Sequence, residues 1–168
     1  MTQLEPYIQN PNRNVVRMLL KTLAYEHQDD LLPAKWEIEH IFPQKWQTNY
    51  FPDEPDATIK EKIEHIGNKL PFEKKLNIVA GNGYFGKKKK EYIASKIVIT
   101  KAMGTSDVMD WNLESITKRD IRVSDEVVKI MNRWNNEYLN TPVSEGKAGE
   151  PSEEELAQIE KFKKNGWI

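Results

Sequence analysis

Val15, Val16, Leu19, Leu20 and Leu23 recur at intervals of three and four. That is the spacing of one helix face, and it predicts an amphipathic helix over residues 13–28. Leu31-Leu32-Pro33 breaks it. The period then drops to two: Trp36, Ile38 and His40 fall on one side, Glu37, Glu39 and Ile41 on the other, which predicts a short strand ended by Pro43. Residues 44–57, with Pro52 and Pro55, read as a loop. Ile59, Ile63 and Ile66 mark a short helix that Gly67 stops, and Asn68 to Phe72 suggests a second strand cut by Pro71.

Farther along, Glu73 to Val79 reads as a helical turn and Gly81-Asn82-Gly83 as a tight turn. The pattern predicts one helix from Lys87 to Ala102, with Tyr92, Ile93 and Ile97 inward and Gly104 closing it. Asp110 or Asn112 would cap the next. A further amphipathic helix carries Val127, Val128, Met131, Trp134 and Tyr138 on its apolar side. From Asn140 to Ser152 the chain is rich in Pro, Gly, Ser and Glu and reads as a linker, followed by a helix over 153–164. The expected fold class is α+β: a mostly helical domain, residues 1–139, around a small two-stranded element, with an acidic tail over 140–168.

Composition narrows the function classes. With no cysteine among 168 residues, disulfides, thiolate zinc sites and cysteine nucleophiles are excluded. No apolar stretch reaches membrane-spanning length and no signal-peptide core occurs, so a cytoplasmic protein without membrane partners is expected. Net charge is −1, but Lys87-Lys88-Lys89-Lys90 is a dense basic run. It is either a solvated helix start or a phosphate-contacting face.

The chemistry gathers around His40, one of only three histidines. A neutral imidazole can take a proton from water near neutral pH. Glu39 offers a carboxylate and Asn77 an amide oxygen, a sparse oxygen set suited to one Mg2+ or Mn2+ whose other ligands are water and substrate phosphate. Asn77 is also a favoured cap residue. Asn68, donor and acceptor in one side chain, suits tying the loop after the strand. Adjacent strand residues point to opposite faces, so Glu39 and His40 would need a bend or bulge to address one point. Asn82 serves the glycine turn or a phosphate. Arg119 has Asp110, Glu114 and Asp120 as candidate partners, or else a phosphate.

Glu39-His40-Ile41-Phe42-Pro43, then Gly67-Asn68, then Asn77 nine positions on, resembles the His-Asn-Asn form of the HNH (His-Me finger, ββα-metal) nuclease motif. With Ile66, Leu76, Asn82, Phe85, Lys87/Lys88, Tyr92, Ser95, Trp111, Ile116 and Arg119, it resembles more specifically the C-terminal nuclease domain of GmrSD-like type IV modification-dependent restriction enzymes, over roughly residues 13–134. The motif's usual Gly-Asn-Leu-Thr-Leu-Leu is replaced here by Gly67-Asn68-Lys69-Leu70-Pro71-Phe72.

The resemblance implies an HNH core at about residues 36–103, with His40 as base, Asn68 holding the loop, and Glu39 and Asn77 holding one divalent cation. Lys87, Lys88, Lys89, Lys90, Asn82 and Arg119 are the expected nucleic-acid contacts. The implied activity is DNA endonuclease or nickase within an anti-phage restriction system, RNA being chemically open, with an N-terminal nucleotidase or sensor domain as the family's usual partner. The alternative is a non-catalytic nucleic-acid-binding or interaction domain of a larger defence complex.

Overall fold

The structure, a computed structural model, describes residues 12–47 and 54–140 and the helical positions 153, 156, 157 and 160. The expected linker and most of the expected terminal helix lie outside these residues. The chain divides into two compact units, Met1–Arg133 and Trp134–Ile168.

Helix α1, Arg13–His27, starts where the Asn12 side chain accepts the Asn14 N–H at 2.8 Å. It buries Val16, Leu19, Leu20 and Leu23 of the predicted stripe together with Ala24, while Val15 is half-buried. Strand β1 is Trp36–His40, α2 is Asp56–Ile63, and a 3-10 turn, Ile66–Asn68, leads into β2, Lys69–Glu73. Helices α3, Lys74–Ala80; α4, Phe85–Ile93; α5, Val98–Thr105; and α6, Leu113–Asn140, follow. The architecture is α+β, with β1 and β2 antiparallel and α3 leaving directly from the end of β2.

Several expectations are corrected. Ile66 opens the 3-10 turn and is not part of α2. Pro71 does not cut β2 but sits inside it, opposite Ile38. The ladder explains why: Ile41 N–H bonds the Asn68 carbonyl at 2.8 Å and Lys74 N–H the Lys35 carbonyl at 3.0 Å. Even-numbered β2 positions therefore carry the inter-strand bonds, and Pro71 falls on the non-bonded parity, where its missing N–H leaves no gap.

The single helix expected over 87–102 is two, α4 and α5. The Glu73 carboxylate takes the Ser95 hydroxyl at 2.8 Å and the Lys96 N–H at 2.6 Å, and the Ser95 hydroxyl takes the Ile97 N–H at 3.0 Å. Side chains thus satisfy backbone groups that a continuous helix would use. Gly104 does not close a helix but lies within α5. A Cβ there would stand 2.6 Å from the Ile93 nitrogen and 2.9 Å from Tyr92, so only glycine lets α5 approach α4 this closely.

Asn112 caps α6 by accepting the Ser115 N–H at 2.9 Å. The buried face of α6 is Ile116, Arg119, Asp120, Val123, Val127 and Ile130. Met131, Trp134 and Tyr138, expected inward, are exposed, because the 3.6-residue phase set from Ile116 selects Ile130 and turns Met131 away.

The hairpin separates two apolar clusters. Ile41, Leu70 and Phe72 join Ile59, Ile63, Ala80, Phe85, Tyr92, Trp111 and Ile116 on one side, where Phe72 and Tyr92 meet edge to face at 5.1 Å. Trp36 and Ile38 pack on the other against the α1 stripe, Ile66, Val123, Val127 and Ile130.

On each outer margin of the hairpin, side chains take two carbonyls. Arg17 donates to the Trp36 carbonyl at 3.3 Å and Lys88 to that of His40 on the β1 margin. Arg119 donates to Lys69 at 2.8 Å and Thr100 to Pro71 at 2.5 Å on the β2 margin.

Candidate functional site

Strand β1 is regular through His40, and its register with β2 is unbroken: Glu39 opposes Leu70 and His40 opposes Lys69. The bend anticipated between Glu39 and His40 is absent. The two side chains therefore leave the strand on opposite faces. Glu39 shares the face of Leu70, on which Leu76 and Ala80 of α3 and Tyr92 of α4 pack. His40 shares the face of Lys69.

The His40 ring is 17% exposed, with Nε2 3.4 Å from the Glu64 carboxylate and 3.5 Å from the Gln44 amide. Glu64 also receives the Lys69 ammonium at 2.9 Å and the Gln44 amide at 3.3 Å. The hydrogen bond with His40, and after it that with Lys69, hold the Glu64 carboxyl far below its ordinary 4.5, against the opposing effect of burial. The carboxylate beside His40 is thus Glu64, 24 residues away, rather than its chain neighbour Glu39.

Glu39 belongs to a buried cluster. Its Oε1 lies 2.7 Å from the Lys88 ammonium and accepts the Tyr92 hydroxyl at 2.8 Å. The side chains of Glu39 and Lys88 are 5% and 1% exposed. Burial pushes the Lys88 pKa down, opposed by the Glu39 charge. Burial and then Glu39 push the Tyr92 phenol well above its usual range. Lys88 also donates to the carbonyl of His40, so one ammonium bridges both motif residues.

Asn68 is fully buried and spends both ends of its amide on the segment after β1. Oδ1 accepts from the Phe42 N–H at 2.7 Å and from the Trp111 indole at 3.2 Å. Nδ2 donates to the carbonyls of Phe42 and Ile63, each at 3.0 Å. Its turn is fixed from behind by Asp120, which accepts the Gly67 N–H at 2.6 Å and sits 2.6 Å from His65 Nδ1. Asn77 lies half-buried in the middle of α3 and does not cap it.

The expected nucleic-acid contacts separate by burial. Lys87, Lys90 and Asn82 are exposed. Lys89 donates to the carbonyls of Ser106 and Val108 at 2.6 and 2.8 Å. Lys88 and Arg119 face inward, which removes them from any phosphate-contacting surface. Arg119 donates to the carbonyls of Ile66, Gly67 and Lys69 at 2.8–3.1 Å, and burial, with Arg122 adding to it, lowers its guanidinium to about 10. Arg119 is a brace for the Asn68 turn.

As oxygen donors, the Glu39 carboxylate and Asn77 amide have the chemistry of a hard-cation site, and Glu39 is on the face where α3 packs. Lys88 already compensates the Glu39 charge at Oε1. No group of three or more His, Asp or Glu suited to a metal occurs among the described residues. A cavity of about 370 Å³ between α1, α5 and α6 contains, of the expected site residues, only Arg119.

Phe85, Lys88, Tyr92 and Ser95 stand three, four and three apart. That spacing marks one helix face, and it could have placed Lys88 inward beside Tyr92. For Glu64 the sequence carries no comparable signal.

A family model described as GmrSD restriction endonucleases, C-terminal domain, matches residues 3–123. No curated protein and no solved structure matches the chain.

Proposed function

The chain belongs to the family of GmrSD restriction endonuclease C-terminal domains, and on that footing we propose that it is a metal-dependent HNH nuclease hydrolysing DNA phosphodiester bonds. The observation that carries this reading is the double hold on the end of β1. Asn68 grips Phe42 by N–H and carbonyl, and Lys88 grips the carbonyl of His40. The imidazole is thereby presented at a fixed backbone position with its ring partly open.

In this mechanism His40 is the general base and takes a proton from the attacking water. Glu64, which also accepts from the Gln44 amide, accepts from Nε2 and so orients the ring with Nδ1 left to take the proton. Asn68 keeps the segment after the strand from relaxing. Glu39 and Asn77 are the oxygen donors for one Mg2+ or Mn2+. When bound, that cation would supply Lewis-acid stabilisation of the leaving oxygen. In-line displacement places attacking and leaving oxygens on opposite sides of phosphorus. A base and a metal ligand that leave the strand on opposite faces are therefore compatible with one phosphate at the strand's end. Lys87, Lys90 and Asn82 supply the exposed polar side chains for backbone contact. A single site of this kind cuts one strand at a time, so nicking is the expected product.

The test is incubation of supercoiled plasmid with Mg2+ or Mn2+ and the wild type or His40→Ala. The variant should nick at least about 100-fold more slowly while keeping the wild-type circular dichroism spectrum. Equal rates for the two proteins would overturn the reading. Salt-sensitive DNA binding with no cleavage by either would indicate the binding-module alternative.

A further inference from the structure

We propose that Lys88 is a built-in competitor of the divalent cation at Glu39, an ammonium that holds the carboxylate until a metal displaces it. The inference rests on the reading of Glu39 as a metal ligand and gives Lys88 a second role beside its hold on the His40 carbonyl.

Three observations support it. The Lys88 ammonium and the Tyr92 hydroxyl converge on the same oxygen, Oε1 of Glu39, so a cation approaching that oxygen meets it already engaged. The lysine is buried from root to tip and comes from α4, a different element from the carboxylate, so the pairing is fixed by tertiary packing rather than by chain proximity. Lys88 also has a second acceptor, the carbonyl of His40. An ammonium has three donors, and this one can release Glu39 while remaining bonded to the strand.

The electrostatics set the direction. An ammonium and a divalent cation drawn to one buried carboxylate repel each other strongly at effective protein dielectric. Removing the ammonium while leaving the carboxylate should therefore tighten metal binding, which is the opposite of what loss of a purely structural lysine does. The arrangement would make the site selective by charge density: a dication can outbid the ammonium, whereas a monovalent ion cannot.

The experiment measures Mn2+ affinity of the full chain from the free-Mn2+ electron paramagnetic resonance signal. Lys88→Gln keeps a donor for the His40 carbonyl but removes the charge, and should bind at least about tenfold more tightly than wild type. Lys88→Arg, which keeps the charge, should show no gain. Glu39→Gln combined with Lys88→Gln should abolish the gain. Unchanged or weaker binding by a folded Lys88→Gln overturns the proposal while leaving the nuclease reading intact. Absence of Mn2+ binding by both proteins, together with equal plasmid nicking by wild type and His40→Ala, overturns both.

Should Lys88→Gln not fold, wild type alone decides: the 1H–15N signal of the buried Lys88 ammonium should shift on saturation with diamagnetic Mg2+. An unmoved signal at saturation overturns the proposal.

Discussion

Asn68 holds Phe42 by both of its backbone polar groups, accepting the N–H at 2.7 Å and donating to the carbonyl at 3.0 Å. A backbone amide pair this far along the chain is normally satisfied by another strand; here one side chain does it. Asn68→Ala would remove the Asn68 hydrogen bonds from those two groups, the Ile63 carbonyl and the Trp111 indole. The expected cost is about 3 kcal/mol, which lowers the melting temperature by roughly 6–12 °C. Thermal unfolding by circular dichroism checks this. Asn68→Asp should fare no better, because a carboxylate cannot donate to the Phe42 and Ile63 carbonyls.

Glu64 gives the structure a pH signature. Its folded pKa is depressed below 4.5, with the His40 hydrogen bond the leading cause. The stabilisation is therefore complete above pH 4.5 and is lost as the pH falls below it toward the folded value. Glu64→Gln should melt below wild type at pH 7, and the gap should narrow as the pH is lowered from 5 to 3. A gap that stays constant across that range would contradict the assignment.

The basic run should act through half its members. Replacing Lys87 and Lys90 by Gln should lower the slope of log affinity for DNA against log salt by about 0.9 per lysine. Lys89, committed to the Ser106 and Val108 carbonyls, should contribute less than either. Fluorescence anisotropy at several salt concentrations reads the slope.

Gly104→Ala offers a test by sign. Alanine in place of a helix-interior glycine ordinarily stabilises by up to about 1 kcal/mol. Here the added methyl would meet the Ile93 and Tyr92 backbone at under 3 Å, and the change should instead destabilise by about 1–3 kcal/mol. Because α4 carries Lys88 and Tyr92, nicking should fall as well. Urea unfolding at constant slope measures the first effect.

What could be read from the chain divides along a physical line. The α1 stripe, the β1 alternation and the Asn112 cap were legible because each is a property of a few consecutive residues. Pro71 was misjudged because sequence gives a strand's period but not which parity bonds to the neighbour. Lys88 was misjudged because four identical charges in a row hide the one whose helical phase matches Phe85 and Tyr92. Pro43 signals the end of the strand, and β1 does end at His40 with bends at residues 41 and 42; these fall after the pair, so Glu39 and His40 still alternate. Glu64 had no local mark at all, since its meeting with His40 is made by the return of α2 to the hairpin.

The four side chains along the hairpin's margins have a consequence for what can join it. Arg17 and Lys88 occupy outward carbonyls of β1, Arg119 and Thr100 occupy those of β2, and Pro71 offers no N–H. A two-stranded sheet has two open templates for adding a third strand, from a partner or from another unfolding chain. Here two outward carbonyls on each strand are already engaged by side chains. A strand added to either edge would have to displace them, which disfavours recruitment and β-type self-association at this hairpin.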